Sequence, residues 1–320
     1  MSAEPSAEVD IPVLVERWRR DGCLVLRKVF DLDRVSRLRE VCDHARDVWH
    51  AEATSESEPG GFGPNPDEWV LLHLNHPRYH RQSNASLPLL LDAIADPLIL
   101  DLIGAIMEGD QVFEQANYYV DPASKSRIGK WHRDCQFYGG DDEVVRQRVL
   151  AEAEPPRELH VHIPLAPTAH TEVVPGSHRR WDTDEEYRIR TEDLRSEDIP
   201  GSQMVVLEPS DIALFHVNSI HRGCYPLGVL RRTIAVTYGS RRNPRLADRE
   251  LMREQQGYVC TYQPWFKSPV YLEGVQPRTR AFFDQFIKCY ADCWKPEYIA
   301  TDWHPKRIAY FTPPFEATVR

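Results

Sequence analysis

QVFEQANYYV, residues 111–120, marks the point where the chain changes its pattern. Short alternating runs start here and continue downstream: LHVHIPLA at 159–166, TEVVPGSH at 171–178, QMVVLEPSDIALFH at 203–216 and RRTIAVTYGS at 231–240. Clusters of Pro, Gly and Asp separate them. Many short strands at such spacing predict a β-sandwich or barrel. Upstream the period is helical. DIPVLVERWRRDG ends its helix at Gly22, and CLVLRKVF follows as a short strand. In DLDRVSRLREVCDHARDVWH, Asp31 can cap a helix whose apolar face carries Val35, Leu38, Val41 and Cys42. LPLLLDAIADPLILDLIGAIM reads as two helical pieces broken near Pro97. After Arg245 the helical period returns, most clearly in TRAFFDQFIKCYADCW. The expectation is a mainly β fold with flanking helices: helical support over residues 1–110, a β core over 111–245 and a helical extension over 246–320, within a single domain. Residues 52–68, EATSESEPGGFGPNPDE, read as a loop.

The chain has 320 residues, 42% hydrophobic, with a formal net charge of −10. The acidic balance argues against a nucleic-acid or anionic-membrane binder. No apolar run approaches the roughly 20 residues that cross a bilayer, and MSAEPSAEVD lacks the basic and apolar regions of a signal peptide, so a cytoplasmic protein is expected. Seven cysteines without paired spacing give neither a disulfide framework nor a structural zinc site. Cys289 and Cys293, four apart in a helical pattern, read as small buried hydrophobes.

The chemistry concentrates in GKWHRDCQFYGG, residues 129–140. An isolated charge in an aromatic, sheet-forming segment is costly unless it is paired or metal-bound. On a strand, His132 and Asp134 would share one face and Arg133 the other. One imidazole and one carboxylate are two-thirds of the 2-His-1-carboxylate triad that holds non-haem Fe(II) and leaves open positions. A lone H-x-D is weak evidence, since a surface ion pair has the same pattern. Downstream, DIALFHVNSIHRG offers two candidates for a third ligand, His216 and His221. His216 lies inside an apolar run and reads more readily as a core histidine. Ten residues after His221, Arg231 and Thr233 again share a face. A guanidinium fork with a hydroxyl two residues on suits the distal carboxylate of 2-oxoglutarate. Arg232 should point outward, and a one-residue register slip would exchange it with Arg231.

WHRD, VVPGSHRRW, DIALFH…HRG and RRTIAVTYG together resemble the phytanoyl-CoA dioxygenase family of Fe(II)/2-oxoglutarate oxygenases, which includes the ectoine hydroxylases. The resemblance runs from about Gly22 to Arg242. It implies a double-stranded β-helix (a cupin-like jelly roll), with His132, Asp134 and His221 as iron ligands and Arg231, with Thr233 beside it, gripping 2-oxoglutarate. Gln115 matches a glutamine of the ectoine hydroxylases and is expected at the co-substrate, with Asn117 and His162 toward the substrate. Fe(II), 2-oxoglutarate and O2 are the implied cofactors, and a small metabolite or natural-product intermediate of secondary metabolism is the implied substrate, hydroxylated or otherwise oxidised. The chain departs from the family in APTAHTEVVPGSH, which lacks the usual Asn-Gly pair and leaves the substrate-facing loop undefined. The residues after Arg245 lie outside the resemblance and are expected to cap the pocket or build an oligomer contact, a homodimer for example.

Other histidines and motifs weigh less. His160 and His162 share a strand face, as pocket lining or as a partly exposed sheet. His170 and His178 lie near loops, Trp131 reads as packing and Cys135 as a buried neighbour. HRD also opens the protein-kinase catalytic loop, but Cys135 follows it, Gly139 stands where Asn is needed, and no D-F-G occurs. A zinc hydrolase could use the same triad but leaves Arg231 and Thr233 unexplained. A halogenase would need the Asp134 position emptied. A non-enzymatic jelly-roll binding protein would need no triad at all.

Overall fold

The computed structural model describes residues 9–53, 69–122, 125–138, 141–243, 263–268 and 270–291. Most of the loop expected at 52–68, and Cys293, lie outside them.

The entry to the fold follows local chemistry. Helix α1 (Ile11–Asp21) starts where the Asp10 carboxylate accepts from the Val13 N–H at 3.1 Å. It stops at Gly22, whose φ of 65° is the left-handed conformation that glycine adopts without a Cβ penalty. Strand β1 (Cys23–Leu26) follows, then α2 (Leu32–Ala53), where Asp31 accepts from the Arg34 N–H at 2.7 Å. After β2 (Val70–Leu71), the predicted break near Pro97 separates α3 (Ser86–Ile94) from α4 (Pro97–Ile106). Asp96 caps α4, and Pro97 sits in its first turn, where its missing N–H costs nothing.

Among the described residues, ten strands form two antiparallel sheets. The larger has the order β1-β8-β5-β10-β3-β2, with β3 at Gln111–Val120, β5 at Glu158–Pro164, β8 at Ile212–His216 and β10 at Arg232–Ser240. The smaller has the order β4-β9-β6-β7, with β4 at Arg127–Ile128, β6 at Thr168–Val173, β7 at Gln203–Leu207 and β9 at His221–Tyr225. This is the double-stranded β-helix, or jelly roll, with flanking helices.

Strand alternation splits the larger sheet into two chemistries. On one face Ala116, Tyr118, Val161, Ile163, Leu214, Ile234 and Val236 join the apolar side chains of α2, α3, α4 and α7 (Pro277–Tyr290) in the main core. On the other, cross-strand pairing sets Thr233 opposite Tyr119, Ala235 opposite Asn117 and His162, and Thr237 opposite Gln115 and His160. A polar row therefore faces inward along a sheet whose outer face is dry.

Two helices interrupt the stretch read as continuous β core. Helix α5 (Asp142–Ala151) mixes charged and apolar residues without a clear apolar stripe at the helical period. Helix α6 (Asp184–Thr191) opens with a capping box, Thr183 and Glu186 each accepting from the other's main-chain N–H. The expected strand through His132 and Asp134 is also corrected. His132 makes only an isolated bridge with His221, and Asp134 starts a 3-10 turn that runs to Tyr138.

Candidate metal centre

His132 and His221 exchange main-chain hydrogen bonds at 3.0 Å in both directions, so their side chains start from one point. The Asp134 N–H donates to the Val217 carbonyl at 3.0 Å, which brings the turn to the same strand connection. Ligand atoms of His132, Asp134 and His221 all lie within 4.8 Å of one another. Asp134 Oδ1 is 3.3 Å from His132 Nε2 and 3.6 Å from His221 Nε2. Each imidazole uses Nδ1 on a main-chain carbonyl, Lys130 at 2.7 Å and Ser219 at 2.9 Å. A carbonyl only accepts, so Nδ1 carries the hydrogen and Nε2 presents its lone pair inward.

Burial alone would raise the Asp134 carboxyl, but His221, His132 and His160 outweigh it and hold it well below the usual carboxylate range. Burial and the neighbouring His132 push His221 down to about 3. Burial also works against the charged form of His132, yet its bond to Asp134 raises it. Among the described residues this is the cluster of carboxylate and imidazole groups placed to hold a metal ion.

Strand β9 builds the neighbouring subsite by alternation. His221, Gly223 and Tyr225 fall on one face. Arg222 on the other pairs with Glu172 and Asp198 at 2.6 Å and lies over Trp131. Gly223 is required, because a Cβ there would lie 1.8 Å from the Tyr225 hydroxyl. Arg231, 2% exposed, stacks its guanidinium between Tyr225 and Tyr119. Its Nε and Nη1 and the Thr233 hydroxyl are buried without a hydrogen-bond partner. A buried cation with unused donors costs free energy until an anion meets it, so this corner fits a carboxylate. Arg232 points the other way, to Asp43 at 2.7 Å and to Asp121. Arg231 thus faces the site and Arg232 the helices.

The remaining residues separate by position. Gln115, expected at the co-substrate, lies at the Thr237 level of the sheet and donates to the Thr237 hydroxyl at 3.2 Å. That is four residues along β10 from Thr233, about 13 Å at ~3.3 Å per residue. Asn117 faces the same interior, its side-chain oxygen accepting from the His73 N–H at 3.3 Å. His162 lies against Phe215 and near Tyr119; burial, Arg231, His160 and His221 press it well below its ordinary value. His216 is turned outward, with Nε2 on the Glu152 carbonyl at 2.9 Å and Nδ1 accepting from the Asn218 N–H. Burial lifts the Cys135 thiol to about 12, which suits a packed neighbour rather than a nucleophile. Sequence reasoning did not foresee the bond between His160 and Asp134 Oδ2, 2.8 Å long, nor the two tyrosines around Arg231.

Residues 18–224, more than half of the sequence, match the family described as Phytanoyl-CoA dioxygenase (PhyH). The chain belongs to the phytanoyl-CoA dioxygenase family. As a member it is a 2-oxoglutarate-dependent non-haem iron oxygenase, using Fe(II), 2-oxoglutarate and O2. No curated protein matches the sequence. Among solved structures, AviO1 from Streptomyces viridochromogenes Tue57 is similar, at 20% identity and a TM-score of 0.52, over 75% of this chain and 99% of that one. EctD from S. alaskensis with bound Fe is similar at 18% identity and a TM-score of 0.52, over 76% of this chain and 80% of that one. EctD with 2-oxoglutarate and 5-hydroxyectoine gives 19% and 0.51 over 76% and 80%. At such identities the likeness shows the shared fold. Among the described residues, no helix is long and apolar enough to cross a membrane.

Proposed function

We propose that this chain oxidises a small metabolite or natural-product intermediate, with His132 Nε2, Asp134 Oδ1 and His221 Nε2 holding Fe(II) and with Arg231 and Thr233 receiving the distal carboxylate of 2-oxoglutarate. The observation that carries the reading is the pairing of a converged His-Asp-His set with a buried guanidinium and hydroxyl whose donors are unused. Bound iron and 2-oxoglutarate supply the oxidising power, drawn from O2 with loss of CO2 and succinate.

The chain's own residues orient and exclude. Lys130 and Ser219 carbonyls fix the imidazole tautomers. Tyr119 and Tyr225 confine the guanidinium to one plane, so it meets a carboxylate as a fork. Asn117 and His162 lie further along the same inward row and face the substrate in this reading. A metal hydrolase built on the same triad would have no use for Arg231 and Thr233.

Anaerobic addition of Fe(II) and 2-oxoglutarate tests the assignment. The visible charge-transfer absorption of the chelate is expected in wild type, absent in Asp134→Ala and much weakened in Arg231→Ala at equal co-substrate. Absorption unchanged in both variants overturns it. Succinate release across a panel of small molecules then identifies the substrate.

A further inference from the structure

His160 is wired in the opposite sense to the two histidines beside it. His132 and His221 use Nδ1 on main-chain carbonyls and turn Nε2 toward Asp134 Oδ1. His160 uses Nε2 on Asp134 Oδ2 at 2.8 Å and Nδ1 on the Thr237 hydroxyl at 3.0 Å. An ionised carboxylate only accepts, so His160 Nε2 carries the hydrogen and donates it. The Gln115 amide nitrogen, which only donates, reaches the same hydroxyl at 3.2 Å. The Thr237 oxygen accepts from Gln115, and its hydrogen is available to His160 Nδ1. Donation then runs one way, from Gln115 to Thr237 to His160 to Asp134, with an acceptor for each donor.

The three outer members are pinned by sheet register. Thr237 on β10 stands opposite Gln115 on one side and His160 on the other. The relay is therefore as rigid as the central strands of the larger sheet. The Asp134 oxygen it holds, Oδ2, is the one not turned toward His132 and His221.

We propose that His160 is a positioning residue for the iron site. It engages one carboxylate oxygen of Asp134 so that only Oδ1 is offered to the ion beside His132 and His221, and it is not itself a ligand. Gln115 and Thr237 set its orientation. This rests on the reading of the triad as the iron ligands.

Two titrations separate the two readings. Co(II) is added to the metal-free protein and followed by visible absorption, and Fe(II) with 2-oxoglutarate is added anaerobically and followed by its charge-transfer band. Thermal unfolding of each metal-free variant is recorded alongside. His160→Leu should weaken Co(II) binding about 10–100-fold, as lost outer partners of metal ligands do, and should move the charge-transfer band. His160→Gln places an amide nitrogen near the position of Nε2 and should recover binding to within a few-fold with the wild-type band. Thr237→Val keeps the side-chain shape without the hydroxyl and should give a milder version of the His160→Leu loss. His160→Leu at wild-type affinity with an unmoved band overturns the proposal, as does His160→Gln as weak as His160→Leu. Should His160→Leu fail to fold, Thr237→Val at wild-type affinity with an unmoved band overturns it instead. A wild-type protein that binds neither metal overturns the iron-site reading and this proposal together, whereas metal bound equally by all variants overturns only the role of His160.

Discussion

The Arg231 guanidinium carbon lies 4.1 Å from the ring centroid of Tyr225, and the Tyr119 ring lies 4.4 Å from the same carbon. Two aromatic faces favour a planar cation by about 0.5–2 kcal/mol each, and neither takes a hydrogen-bond donor in the guanidinium plane. The donors remain for an incoming anion. Arg231→Lys keeps the charge but loses the fork and the stacking, so it is not a conservative change here. Its KM for 2-oxoglutarate should rise roughly 10–100-fold, the equivalent of about 1.4–2.8 kcal/mol. Steady-state succinate production measures it; an unchanged KM would remove Arg231 from the co-substrate site.

His216 and His221 are five residues apart, yet His216 closes β8 of the larger sheet and His221 opens β9 of the smaller one. His221→Ala should abolish the stabilisation that Mn(II) gives to the wild-type protein, which at a concentration of 100 times Kd is about 2.7 kcal/mol. His216→Ala should lower the stability of the metal-free protein by leaving the Glu152 carbonyl and the Asn218 N–H without their partner, yet preserve the metal increment. Thermal unfolding with and without Mn(II) reads both. An increment lost in His216→Ala and kept in His221→Ala would reverse the assignment.

Arg133, between the two proposed ligands His132 and Asp134, is fully buried. Its guanidinium donates to Asp182 at 2.7 Å and to the carbonyls of Ser177 and Asn218 at 2.8 and 2.5 Å. It thus ties the ligand turn to the loop after β6 and to the connection leading into His221. Arg133→Met fills the volume but strands those acceptors. Breaking a buried pair costs about 3–5 kcal/mol; since Arg190 still pairs with Asp182 at 2.7 Å, the lower end is expected. Urea unfolding of the metal-free protein gives the figure, and a loss below ~1 kcal/mol would show that the network is dispensable.

Burial presses His80 down to about 4 and His216 to about 3, against about 6.5 when unfolded. Between those values the unfolded chain binds more protons than the folded one, so stability rises with pH there. The contribution is fully present above about pH 6.5 and is lost as pH falls toward 4 and then 3. The contribution is roughly 3 kcal/mol for His80 and roughly 5 kcal/mol for His216. The urea midpoint of the metal-free protein should therefore fall between pH 7 and pH 4.5, with net proton uptake on unfolding. A flat midpoint over that interval would contradict the buried, uncharged state of both rings.

The parts of this architecture legible in the sequence are those with a period of two or a local cap. Arg231 and Thr233 could be set on one face, with Arg232 on the other, because β10 pairs with β3 without a register shift from Arg232 to Thr237. Asp31, Gly22 and Pro97 marked helix ends because caps act within a few residues. His132 and Asp134 converge as expected, though by a bridge and a turn rather than a strand. The bond from His160 to Asp134 was not legible, since it joins residues 26 apart across the inserted helix α5 and depends on which strand lies beside β10. The level of Gln115 was not legible for the same reason: matching a motif gives a strand but not the position on it, and the register sets Gln115 opposite Thr237 rather than Thr233. Helix α6 had a readable start in Thr183 and Glu186, and its single helical stretch was hidden among β signals.

Arg232 clasps Asp43 on α2, to which the Tyr118 hydroxyl also donates at 3.0 Å. The outer helix thereby acts as a keyway for the central strand: only one setting of β10 lets Arg232 reach its carboxylate, and that setting is the one that turns its neighbour inward. A transplanted β core without α2 would keep every residue of the anion corner and lose the part that indexes it. The orientation of the proposed co-substrate anchor is in that sense written on the outside of the sheet, where directed evolution of the pocket would not look for it.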